Sequence, residues 1–189
     1  MKKIFLILAL LLLVGCAAQT KVADVRPSEK TVQTTYISTL DKAIDDSKAA
    51  TEAKQNIGYK TVLEINNKKA KVGDYVVFGL ILNNLKPQTD SFLVDVEFWE
   101  AKDNINNKIE VDENTIKEWL IANNFKPFVL EHRESKFVPI IIKVGDEIKP
   151  GVKTVKGSYK FTVKTFSDVK ETSKKPYDSD KTLFLAVEP

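Results

Sequence analysis

The 189-residue sequence holds one cysteine, Cys16, and one histidine, His132. These are the side chains most often used as nucleophile, proton carrier or transition-metal ligand near neutral pH. His132 stands in the fully polar run Glu131-His132-Arg133-Glu134-Ser135, which offers the residue types of a serine–histidine–acid relay. No G-x-S-x-G turn is present to present the serine, so the expected place of His132 is an exposed loop or strand end, and no catalytic residue is assigned. A lone histidine and a lone cysteine do not furnish a zinc or copper site. Asp103-Asn104-Ile105-Asn106-Asn107 looks superficially like a calcium loop, but Ile105 and Lys108 occupy places where an oxygen ligand and a glycine belong. That segment and Asp178-Ser179-Asp180 are expected to be solvated turns. No phosphate-binding or dinucleotide glycine motif occurs, so neither a metal nor a cofactor is expected.

Cys16 has a different setting. Lys2 and Lys3 precede an unbroken apolar stretch from Ile4 to Val14, and Leu13-Val14-Gly15-Cys16 closes it. A basic start, a short apolar run and small residues form the order of a secretory signal peptide. The run is shorter than the ~20 residues of a membrane-spanning helix. The last four residues resemble the lipobox of prokaryotic lipoproteins, which implies that Cys16 takes a diacylglycerol and becomes the first residue of the mature chain. The two acyl chains of that group, palmitate or similar, would make the anchoring stable, since two chains hold where one is marginal. Ala17 at the next position implies release toward an outer membrane in a double-membraned cell.

The whole sequence carries 29 basic and 26 acidic side chains, a formal charge of +3. Loss of Lys2 and Lys3 with the signal leaves +1. Such a balance excludes nucleic acid as the main partner, because phosphate binding needs a clustered basic face. With no cysteine pair, the folded part must rest on an ordinary apolar core.

Residues 16–58 read as a lipidated tether followed by a helix over 39–57, with Ser38 and Asp41 as its capping box and Gly58 as its stop. The apolar stripe of that helix is thin: Leu40, Ala43, Ile44, Ala50 and Ile57 share their face with Ser47, Thr51 and Lys54. A stalk is the expectation, with packing on the domain or docking to another protein as alternatives. From residue 59 to 189 the period is two, the mark of strands. Thr61–Ile65 alternates up to a turn at Asn66-Asn67. Tyr75–Leu82 is apolar on both faces, as in a strand covered twice. Phe92, Val94, Val96 and Phe98 share one face, opposite Leu93, Asp95, Glu97 and Trp99. Val138–Val144, Gly157–Val163 and Thr182–Val187 follow, with Phe128–Glu131 as a short edge strand. Six or seven strands between Asn, Pro and Gly turns predict a β-sandwich. Thr115 and Glu118 form a capping box for a short crossover helix, and Trp119 on it is expected to pack over an edge or end of the sandwich.

Gly73-Asp74 before a strand ending at Asn83, then Phe92-x-Val94-x-Val96, Pro150-Gly151 and Gly157-x-Tyr159-x-Phe161-x-Val163, resemble the immunoglobulin-like sandwich domains of archaeal and bacterial surface proteins. The resemblance implies a mainly β, immunoglobulin-like fold. It implies that Tyr159 forms a tyrosine corner, and that Phe161 and Phe78 face each other where antibody domains place a disulfide.

The functional expectation is a non-enzymatic lipoprotein, anchored to the cell membrane through Cys16 and presenting its sandwich outside the cytoplasm. The expected partners are the membrane, through the lipid, and an envelope protein or a cell-wall glycan. Lys156, Lys160 and Lys164 form a row that either meets an anionic glycan or is a solvated face. Two alternatives stand beside this: an enzyme or solute-binding protein with a cleft near Trp119, Phe128 and His132, and an accessory subunit of an envelope complex.

Overall fold

A computed structural model describes residues 29–121 and 126–188. Residues 1–28, with the signal segment, Cys16 and the tether, lie outside the described residues, as does the Asn123-Asn124 turn. The chain divides into two units, Met1–Tyr36 and Ile37–Pro189. The second holds both large sheets and is described here.

Helix α1 spans Glu29–Glu52, and α2 spans Glu113–Lys117. The strands are β1 (Thr61–Leu63), β2 (Asn67–Lys71), β3 (Tyr75–Asn83), β4 (Asp90–Lys102), β5 (Lys108–Ile109) and β6 (Phe128–Leu130). They continue as β7 (Ser135–Lys143), β8 (Glu147–Lys149), β9 (Val152–Lys153), β10 (Gly157–Lys170), β11 (Ser173–Pro176) and β12 (Lys181–Glu188). One sheet has the order β1-β3-β7; the other runs β2-β12-β10-β4-β5, with β11 on β10 and β6 on β4. The order β1-β3-β7 against β12-β10-β4 is the immunoglobulin-like arrangement. All pairs in the two sheets are antiparallel except β2, which runs parallel to β12. The chain therefore changes sheet between β1 and β2. The Asn66-Asn67 turn is corrected to that crossing: Asn67 opens β2, whose residues are mostly exposed and carry no apolar alternation.

Alternation fills the space between the sheets. Phe78, Leu80 and Leu82 of β3, Phe92 and Val94 of β4, Ile140 and Ile142 of β7, Tyr159, Phe161 and Val163 of β10, and Leu183 and Leu185 of β12 are all fully buried in one cluster. The Tyr159 hydroxyl donates to Val155 O at 3.0 Å, which is the tyrosine corner. Phe161 has an aromatic partner in its own sheet. Its ring meets Phe98 of the adjacent strand edge-on, centroids 5.8 Å apart, because the β10–β4 ladder sets these two residues opposite each other.

The alternation of β4 breaks once. Lys160 pairs with Glu100 and Phe161 with Phe98, so Trp99 is an extra residue in β4, a β-bulge. Before it the inward residues are Phe92, Val94 and Val96; after it the inward residue is Ala101. Such a bulge reorients the side chain at the extra position, and Trp99 is 66% exposed.

The other face of the three-stranded sheet is also covered. Ser47 and Thr51 of α1 are buried, and a Cβ added to Gly79 of β3 would lie 2.0 Å from Thr51 Oγ1 and 2.8 Å from Ser47 Oγ. The helix thus reaches the sheet backbone, which only glycine permits. The stalk expected over 39–57 is corrected here: the C-terminal turns of α1 lie on the sheet, and the helix runs Glu29–Glu52, so Ser38 falls inside it rather than at its cap. Burial of β3 on both faces follows.

Between β5 and β6, Asp112 rather than the Thr115/Glu118 pair caps α2, its carboxylate accepting from Thr115 N and Thr115 Oγ1, both at 2.8 Å. Ile116 is fully buried, Trp119 is 2% exposed, and the Trp119 ring lies 5.1 Å from that of Tyr159. Leu120 bridges Ile142, and Lys143 N donates to Trp119 O at 2.7 Å. The crossover therefore lays Trp119 along the β7 edge, as the spacing predicts.

Candidate functional site

The cleft expected near Trp119, Phe128 and His132 is not assembled. Trp119 is held beside Lys143, at the end of β7, with its Nε1 donating to Glu147 O at 3.3 Å. His132 precedes the start of β7 at Ser135, and its Nδ1 contacts Lys86 O at 2.6 Å. A nine-residue strand separates them by roughly 25 Å. Phe128 packs on Phe92 under the Lys136 ammonium, 4.2 Å from the ring centroid. The neighbours that could serve His132 are occupied in the turn itself. Glu134 Oε2 accepts from Glu131 N at 2.7 Å, and Ser135 Oγ donates to Asn83 Oδ1 at 2.6 Å.

The two acidic segments are turns. Asp103 Oδ1 accepts from Ile105 N at 2.9 Å and from Asn107 N at 2.8 Å, an arrangement in which an Asx side chain imitates a backbone turn. Asp178 accepts from Thr61 Oγ1 and from Ser179 N. Its burial raises the carboxyl, but the hydroxyl, the backbone N–H and Lys181 outweigh that and hold it below the usual carboxylate range. The lysine row is neutralised. Lys160 pairs with Glu100 at 3.6 Å, Lys164 with Glu97 at 2.5 Å and Lys156 with Glu188 at 3.9 Å. It is a solvated, charge-balanced face and lacks the free cations an anionic polymer would need.

One polar junction was not visible in the sequence. It forms where β1 leaves its sheet. Glu64 N donates to Gly79 O at 2.9 Å, and Glu64 Oε2 accepts from Gly79 N at 3.3 Å and from Ser47 Oγ at 2.5 Å. Lys68 Nζ reaches Glu64 Oε1 at 3.1 Å, Glu64 Oε2 at 3.0 Å and Val77 O at 2.6 Å. Side chains thus continue the ladder of β3 past the end of β1 and fasten α1 to it. The junction lines a groove of about 500 Å³ whose wall includes Ala43, Ala50 and Tyr75.

Ser47, Glu64 and Lys68 are types that can form a nucleophile with its base, but the bonding forbids it. The Ser47 hydroxyl donates to Glu64 rather than to Lys68, and Lys68 Nζ donates to the same carboxylate and to Val77 O. Burial raises the Glu64 carboxyl, yet the Ser47 hydroxyl, Lys68 and the Gly79 N–H together hold it below its ordinary value. A carboxylate that holds protons so weakly is a poor general base at neutral pH. The junction is a clasp.

Its folded-state pKa is lowered, so the stability it contributes is complete above the ordinary carboxylate range and is lost as pH falls through the folded value. Glu64→Gln is therefore expected to flatten the acid side of the stability profile below about pH 4. The urea midpoint of the natural chain should fall more steeply between neutral and acid pH than that of the variant. Parallel profiles would show that Glu64 is not linked to folding.

No protein-family model matches the sequence, and no curated protein matches it either. Solved structures match part of the chain at low identity. A PapD-like domain of human CEP192 matches with a TM-score of 0.43 at 10% identity, covering 71% of this chain and 87% of that one. The periplasmic chaperone SfaE matches at 0.36 and 12%, covering 68% and 57%. The CssB subunit of the enterotoxigenic Escherichia coli colonization factor CS6, complemented with a donor strand from CssA, matches at 0.38 and 9%, covering 70% and 100%. At these identities and TM-scores the likenesses carry neither an activity nor a partner over to this chain.

Proposed function

We propose that this chain is a lipoprotein anchored through Cys16 that displays a non-catalytic immunoglobulin-like domain outside the cytoplasm. The observation that carries the reading is the order Lys2-Lys3, Ile4–Val14 and Leu13-Val14-Gly15-Cys16: residues 1–15 direct export, and the cysteine thiol takes the lipid. Two further observations support it. The cysteine-free remainder folds on an apolar core that needs no disulfide. The residues that could do acid–base chemistry near His132 and Glu64 are engaged in turns and in the helix clasp. In this reading the domain works through its surface, against an envelope protein or a glycan, while the acyl chains supply the affinity for the membrane.

The test is partition into detergent after phase separation, followed by mass measurement of the mature N-terminal peptide. The natural chain is expected in the detergent phase with a diacylglycerol-modified Cys16. Cys16→Ser is expected in the aqueous phase or as unprocessed precursor. An unlipidated N-terminus with undiminished membrane association would contradict the reading.

A further inference from the structure

We propose that the outer face of the seven-stranded sheet is a platform for a neutral glycan, with Trp99 as the residue on which a sugar ring stacks. The assignment rests on the display reading above and gives it a ligand class. Four strands contribute to the face in one row: Asn67 of β2 pairs with Phe184 of β12, Phe184 with Lys160 of β10, and Lys160 with Glu100 of β4, beside the bulged Trp99. The Lys160 ammonium lies between the two rings, 5.6 Å from the Trp99 centroid and 5.8 Å from that of Phe184. The rings stand on strands two steps apart, about 10 Å, the length of a disaccharide.

Three features select a neutral sugar. Phe166, another outward ring of this sheet, is roofed by Lys174 at 3.9 Å. Trp99 carries its lysine, Lys160, farther off at 5.6 Å and stands outward at 66% exposure. With Phe184 it gives this face two ring surfaces set among paired charges. The charges around it are paired, Lys160 with Glu100 and Lys164 with Glu97, so a polyanion meets no net attraction. Each pair instead offers an N–H donor beside a carboxylate acceptor, which is what sugar hydroxyls bond, while the C–H face of the ring lies on the indole. A second strand is disfavoured along β4, since a bulge and the charged side chains Asp95 and Glu97 blunt that edge.

Trp119 is buried and Trp99 exposed, so acrylamide quenching of the intrinsic fluorescence reports on Trp99. The full chain in a sugar-free detergent is titrated with chitotetraose and with cellotetraose, and with heparin as the polyanion. At least one neutral tetrasaccharide is expected to protect the fluorescence saturably and better than heparin. By calorimetry, Trp99→Ala is expected to weaken that binding roughly tenfold or more, with Phe184→Ala weakening it less and both variants keeping the fold by circular dichroism. Should Trp99→Ala misfold, Phe184→Ala and Lys160→Gln carry the comparison. Protection by neither neutral sugar, stronger protection by heparin, or affinity unchanged in the variants overturns the platform. A Trp99-dependent dimer in sedimentation velocity also overturns it and gives the face to a second copy. The mass of the N-terminal peptide from the same preparation reports the anchor separately, so failure of the platform and failure of the lipoprotein reading are told apart.

Discussion

Phe161→Ala is expected to destabilise the domain by roughly 3–5 kcal/mol, while Lys160→Ala, one residue away, costs less than about 1 kcal/mol. Phe161 is fully buried between Leu183 and Phe98, its partners across the two ladders, and its ring meets Phe98 edge-on. Removing it leaves a cavity that two sheets, fixed by their hydrogen bonds, cannot close. Lys160 points the other way, and its ion pair with Glu100 is partly solvated. Urea titration followed by far-ultraviolet circular dichroism measures both. A larger loss at Lys160 than at Phe161 would mean that β10 is shifted by one residue, since a slip of one exchanges the faces.

Gly79→Ala is expected to cost about 1–3 kcal/mol, a large effect for one methyl group on a strand that otherwise favours side chains. The new Cβ would stand 2.0 Å from Thr51 Oγ1 and 3.0 Å from Phe137 Cε2. Thr51 is fully buried and donates to Ser47 O at 2.6 Å, so its hydroxyl has little freedom to turn away and the helix must lift from the sheet. Thr51→Ala in the same chain removes the clashing atom and is expected to restore part of the loss, a coupling that a double-mutant cycle reads. A Gly79→Ala chain as stable as the natural one would show that α1 does not rest on β3.

That contact explains what the sequence conceals. Ser47 and Thr51 interrupt the apolar stripe of α1 and weaken it as a packing surface by pattern alone. Their small size is what lets the helix approach a glycine on the sheet, and that glycine lies many residues further along the chain. Similarly, Glu64 reads as the polar half of an alternating strand and Lys68 as a residue past the Asn66-Asn67 turn, although together they complete the ladder of β3. The bulge at Trp99 is also silent, because it depends on the register of β10. Period-two alternation, by contrast, revealed the core of β4, β7, β10 and β12, since burial of one face dictates the pattern directly. Tyr159 was placed correctly because its corner bond reaches only four residues upstream. The Thr115/Glu118 cap failed on competition: Asp112, three residues earlier, takes the Thr115 N–H first.

The central claim is that the protein acts by being displayed, and complementation of a strain lacking the gene tests it most directly. Under matched expression, His132→Ala is expected to restore the natural phenotype in full, because His132 is an exposed turn residue whose ring contacts a backbone carbonyl. Cys16→Ser is expected to fail, because the domain is then released from its membrane. A His132→Ala protein that is stable and correctly anchored, yet behaves like the deletion, would contradict the account.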